Sequence, residues 1–140
     1  MENKKQIIDI ADIFRSYQHD MKDHLLAANL PAVKHFHIVF TIPVCLHNLF
    51  YINQQVAYSL LFKAVGKTII QCAKNTEYLG VQAGAVCLLH TWGQTLTYHP
   101  HIHCIVPAGG LSEDGMEWIR SAKTFFVPVK VLSAVFRGVL

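Results

Sequence analysis

LLHTWGQTLTYHPHIHCIVPAGG, Leu88 to Gly110, is the stretch on which the fold turns. In a β-strand successive side chains point to opposite faces, so His101 and His103 share one face while Ile102, Cys104 and Val106 form the other. Two imidazoles face one point, and an apolar row behind them is ready to pack on helices.

Working outward, HFHIVFTIP, His35 to Pro43, reads as a second strand with Phe36, Ile38, Phe40 and Ile42 on one face and His35, His37, Val39 and Thr41 on the other. Pro43 ends it. Asn53 is placed to cap a helix running to Lys74. Its polar stripe is Gln55, Ser59, Lys63, Lys67, Gln71 and Lys74, and its apolar side is Val56, Leu60, Leu61, Val65, Ile69 and Cys72. Gly66, inside that helix, suggests a close-packed neighbour. This helix is expected to cover a sheet in which Phe36, Ile38 and Phe40 lie on the same side as Ile102, Cys104 and Val106.

AVCLLHTW, Ala85 to Trp92, is almost continuously apolar and reads as a central strand buried on both faces. SEDG, Ser112 to Gly115, has the composition of a tight turn, followed by a short strand in MEWI and another over Phe125 to Val127. Pro128 starts an amphipathic helix carrying Val129, Leu132, Val135, Phe136 and Val139. Near the other end, Ile7, Ile10, Ala11, Phe14, Met21 and Leu25 recur at helical spacing between Lys4 and Ala28, and Asn29-Leu30-Pro31 closes that helix.

At 140 residues the chain has single-domain size, and 52% hydrophobic against 15% charged residues argues for a packed core and against disorder. No apolar run reaches the roughly 18 residues of a membrane span, and acids stand where a signal peptide needs its apolar core. A cytoplasmic protein with no membrane partner is expected. The four cysteines form no C-x-x-C pair, which removes the zinc ribbon and the thioredoxin-like motif and leaves buried thiols. Net charge is +3, unevenly spread. Residues 24–76 and 118–140 are basic without a single acid, and between Tyr78 and Ser112 there is no formal charge. Positive charge at the histidines must therefore come from a metal or from neighbouring segments, an arrangement suited to an anionic ligand.

Neutral imidazole is a ligand for transition metals, and His-x-His on one strand gives two. For a third, Gln94 can return beside the pair across the turn through Tyr98 to Pro100, its amide oxygen suiting Mg²⁺ or Mn²⁺, and His90 competes with it. His99, before a proline, reads as a turn residue or an outer partner. The second pair, His35 and His37, lacks the neighbouring Gln94 and the Gly109-Gly110 that would let a backbone or ligand approach. The lysines of the 53–74 helix read first as a solvated face.

The run HTWGQTLTYHPHIHCIVPAGGLSEDG, with HFHIVFTIP upstream and FFVPVKVLSAVFRG downstream, resembles the transposases of the insertion-sequence ninety-one family. These are rolling-circle, two-tyrosine members of the HUH (His-hydrophobic-His) endonucleases. The resemblance covers about residues 35–140 and joins WGQ, HPHxH and the glycine pair in order. It implies an α+β fold, an HUH endonuclease-like antiparallel sheet covered by helices and incomplete at the C-terminus. Residues 1–34 would be an N-terminal helix and linker, and 35–140 a partial catalytic domain. A divalent metal, Mg²⁺ or Mn²⁺, would sit on His101, His103 and Gln94, and the partner would be single-stranded DNA at transposon ends, cut by a tyrosine that stays joined to the 5′ phosphate.

Two departures qualify what the resemblance implies. No cysteine-rich zinc-binding region separates DIADIFRSY from the first strand, and Tyr17, Tyr51, Tyr58, Tyr78 and Tyr98 all precede the histidine pair. The family's nucleophile is therefore expected beyond Leu140, and Tyr98, in the turn, is a poor substitute. The reading is a truncated transposase limited to metal binding and to DNA binding through Lys63, Lys67, Arg120, Lys123 and Lys130, with a full-length transposase copy as a further expected partner. The alternative is a non-catalytic DNA-binding remnant or regulator. A metal-dependent TIM-barrel hydrolase fails on length, needing roughly 200 residues or more.

Overall fold

The computed structural model describes residues 33–93, 95–122 and 126–140, with Val33–Leu140 forming one compact unit. The helix expected between Lys4 and Ala28, and Gln94, Lys123 and Phe125, lie outside the described residues.

Three strands, β1 (His35–Thr41), β2 (Val86–Trp92) and β3 (Tyr98–Pro107), form an antiparallel sheet in the order β1-β3-β2. β2 and β3 are joined by a short turn in which the Gly93 N–H donates to the Thr97 carbonyl at 2.9 Å. The register pairs Phe36 with Val106, Ile38 with Cys104 and Phe40 with Ile102 on one side of β3. On its other side Cys87 faces Cys104 and Leu89 faces Ile102. Directly paired residues share a face, so the apolar rows of β1 and β3 lie on the same side, as the alternation predicts.

That side is covered by helices, which gives the α+β class expected from sequence. After a 3₁₀ turn (Val44–Leu46) and α1 (His47–Ile52), the 21-residue α2 (Gln54–Lys74) contributes Leu61, Ala64, Val65, Ile69 and Cys72 to a core shared with Phe40, Ile102, Cys104 and Val106. Leu61, Val65, Ile102, Cys104 and Val106 are fully buried. Thr68 is also buried in this layer, and its hydroxyl donates to the Ala64 carbonyl one turn back at 2.8 Å, which satisfies it without an external partner.

Several local expectations are corrected. Val56 and Leu60 are exposed, because the buried stripe of α2 runs instead through Ala57, Leu61, Ala64, Val65 and Thr68. Asn53 precedes α2, but its side chain caps nothing there; Nδ2 donates to the Leu49 carbonyl and closes α1 instead. Gly66 borders open space, with no close-packed neighbour. The run around Val86–Trp92 is an edge strand among the described residues, with Val86 and Leu88 exposed. β3 occupies the centre, since it pairs with its hairpin partner β2 on one side and with β1 on the other.

Beyond β3, β4 (Gly109–Leu111) pairs with β5 (Trp118–Arg120), and Gln82 bridges to Leu111. A Cβ on Gly109 would collide with the Ile119 carbonyl, and one on Gly110 with the Gln82 carbonyl. The glycine pair is thus used for close approach of backbone. Phe126 and Val127 are buried but form a bend where a third short strand was expected. α3 (Val129–Val139) packs Phe136 against Phe40, ring centroids 5.0 Å apart.

Candidate metal centre

The sheet face opposite the helices carries the histidines. His101 lies between Thr41 of β1 and His90 of β2, and His103 lies between Val39 and Leu88. Directly paired side chains are neighbours and diagonal ones are within reach of long or aromatic groups, so His90 meets His101 across the pair and His103 along the diagonal. Ring centroids are 5.3 Å apart for His90 and His101, 4.8 Å for His90 and His103, and 4.9 Å for His101 and His103. One nitrogen from each of the three lies within 4.8 Å of the other two. Three nitrogens bound at about 2.1 Å to one ion stand roughly 3–3.5 Å apart, so modest rotamer adjustment closes the set.

Outer partners orient two of these rings. His101 Nδ1 lies 2.6 Å from the His99 carbonyl, which can only accept, so Nδ1 carries the proton and Nε2 keeps its lone pair. His103 Nδ1 lies 2.8 Å from Nε2 of His37. All three imidazoles of the cluster are half-buried, in a stretch without formal charge. Desolvation, followed by the neighbouring His90, His101 and His37, pulls His103 from the ordinary 6.5 down to about 4. Desolvation first, and then His101, lowers His90 as well. His90 and His103 are therefore held neutral near pH 7, the state in which imidazole ligates.

His101 and His103 converge as the strand alternation predicts, and His90 completes a nitrogen triad. Gln94, the other candidate third ligand, is outside the described residues. Sequence reasoning left His37 without a role; its link to His103 depends on strand pairing across 66 positions, which no local pattern signals.

A family model described as "Putative transposase" matches residues 84–140, the segment holding β2, β3 and α3. The "Putative transposase y4qJ" of Sinorhizobium fredii is 46% identical over 110 residues, 79% of this chain and 28% of the relative. The "Transposase for insertion sequence element IS801" of Pseudomonas savastanoi pv. phaseolicola is 39% identical over 87 residues, 62% of this chain and 20% of the relative. This chain belongs to that transposase family. It spans about a quarter of the length of these curated relatives. No solved structure matches it.

The described basic residues of this chain do not gather at the histidines. Lys63 and Lys67 project from the exposed side of α2, in the layer on the opposite face of the sheet. Arg120, in β5, and Lys130, in α3, are exposed. Lys123 is outside the described residues. Tyr98 belongs to the helix-covered face of β3, where its hydroxyl bonds that of Tyr58 at 2.9 Å. Burial, then the Tyr58 hydrogen bond, raises its pKa well above the ordinary phenol range. An engaged hydroxyl that resists ionisation, on the wrong face, is no nucleophile for the histidine site. No helix among the described residues is long and apolar enough to cross a membrane.

Proposed function

We propose that this chain is the histidine-bearing sheet of an HUH-type transposase, which holds a divalent metal on His101, His103 and His90 and presents it to single-stranded DNA of transposon ends. The observation that carries this reading is the nitrogen triad on a sheet face that none of the described helices covers, within a charge-free stretch. Neutral ligands leave an ion's charge uncompensated, so the site attracts a phosphate. A bound ion would supply Lewis-acid polarisation of a scissile phosphodiester. The residues of the chain orient the ligands and keep His90 and His103 neutral. An all-imidazole set favours Mn²⁺ over Mg²⁺, whose preference is for oxygen; Gln94 as ligand in place of His90 would admit both.

Lys63, Lys67, Arg120, Lys123 and Lys130 are proposed to hold DNA phosphates, with Lys63 and Lys67 gripping DNA away from the metal. Each phosphate neutralised releases counterions, so binding falls steeply with salt. The reading is tested by fluorescence anisotropy of labelled single-stranded DNA with and without Mn²⁺. Mn²⁺ should tighten binding, and His103→Ala should abolish that gain while leaving metal-independent binding in place. Equal response of the two proteins to Mn²⁺ would refute the metal centre. On a denaturing gel with Mn²⁺ this chain should leave no protein-linked DNA band, because Tyr98 and Tyr58 are committed to each other on the far face. An adduct lost in Tyr98→Phe would overturn that assignment.

A further inference from the structure

We propose that His37 is the positioning residue of this centre, the acceptor that fixes the ring of His103 for ligation. The inference rests on the metal-centre reading above and adds to it a residue from the other His-x-His pair.

The geometry is specific. His37 stands opposite Ile105 in the register, one diagonal step from His103, whose direct partner is Val39. The two imidazoles are nearly parallel, 15° between planes and 5.0 Å between centroids, with His37 Nε2 at 2.8 Å from His103 Nδ1. One proton lies between these nitrogens. If His37 donated it, the proton of neutral His103 would sit on Nε2, and that nitrogen could not bind a metal. With His103 donating from Nδ1, Nε2 keeps its lone pair and His37 is neutral with its own proton on Nδ1. A metal-bound imidazole characteristically gives its far N–H to such an acceptor, which fixes the ring and raises its basicity.

The same task is done for His101 by the His99 carbonyl at 2.6 Å. One ligand is thus braced by backbone of its own strand and the other by a side chain from β1. Only the second brace can be removed by substitution. His37 is exposed, so replacing it leaves the core of the sheet untouched.

The test compares Mn²⁺ affinity, by electron paramagnetic resonance of the free ion, among the intact chain, His37→Phe, His37→Gln and His103→Ala. His37→Phe keeps a ring against His103 but offers no acceptor, and affinity should fall roughly 10–100-fold. His37→Gln puts an amide oxygen near the place of Nε2 and should return affinity to within about threefold of the intact chain. In the Zn²⁺-loaded chain, the imidazole ¹⁵N spectrum should show a protonated His103 Nδ1 coupled through its hydrogen bond to His37 Nε2. If His37→Phe binds Mn²⁺ like the intact chain while His103→Ala does not, the centre is real and His37 has no part in it. Equal losses in His37→Phe and His37→Gln would assign the effect to packing and overturn the acceptor role. If the intact chain binds no better than His103→Ala, the metal centre itself fails and the role of His37 with it.

Discussion

The chain has two His-x-His pairs, His35 with His37 on β1 and His101 with His103 on β3, and the fold treats them differently. The β3 pair sits in the middle of the sheet, where β2 adds His90 from one side and β1 adds His37 from the other. The β1 pair has a paired strand on only one side among the described residues. His37 reaches inward as a partner of His103, while burial lowers the pKa of His35 at the start of the strand. Under the proposed metal centre, identical spacing yields a ligand pair in one strand and a supporting residue in the other. Position in the sheet makes the difference, since a central strand can collect side chains from two neighbours.

The comparison breaks most visibly in the core behind each pair. Ile102 is fully buried on β3 and Ile38 is half-buried on β1. Ile102→Ala should cost about 3–4 kcal/mol by denaturant titration and Ile38→Ala about 1–2 kcal/mol, as burial and the residual cavity differ. Similar losses would mean that β1 is as central as β3. Next comes metal affinity. His103→Ala should weaken Mn²⁺ binding by on the order of 100-fold, whereas His35→Ala should stay within about threefold. Calorimetric titration decides it, and a reversed order would exchange the roles of the pairs.

Acid sharpens the contrast further. His103, at about 4 in the folded chain, and His90 and His99, also lowered, lie below the ordinary 6.5 of the unfolded chain. The unfolded state then binds more protons as pH falls. The stability they contribute is complete above about 6.5 and is lost as pH falls towards about 4. Metal-free protein should show this limb in denaturant midpoints, and His103→Gln should flatten it more than His35→Gln. The smallest effect belongs to the opposite face: Tyr58→Phe should cost about 1 kcal/mol and leave Mn²⁺ affinity unchanged. A change in metal binding there would show that the faces of β3 are coupled.

Much of this was legible in the chain because a strand has a period of two. The shared face of His101 and His103, the apolar row of Ile102, Cys104 and Val106, and its match to Phe36, Ile38 and Phe40 all follow from alternation. The centre-versus-edge order does not. A run such as Val86–Trp92 is equally compatible with burial on two faces and with the exposure that Val86 and Leu88 show. Helical spacing marked α2 but not its rotation, since the alanines of its buried stripe weigh little in a pattern of large apolar residues. The role of His37 needed tertiary register. His90 was visible as a competing ligand only because it lies close by in sequence.

The hydrogen-bonded register of β3 on both flanks also says where this chain tolerates changes of length. Adding or deleting one residue between Tyr98 and Pro107 would exchange the faces of everything after it, sending imidazoles into the helix layer and Ile102 or Val106 towards water. The turn over Ser112–Gly115 and the segment between α2 and β2 carry no such parity. Related sequences should therefore vary in length at those two places and keep an unbroken count through the histidine strand.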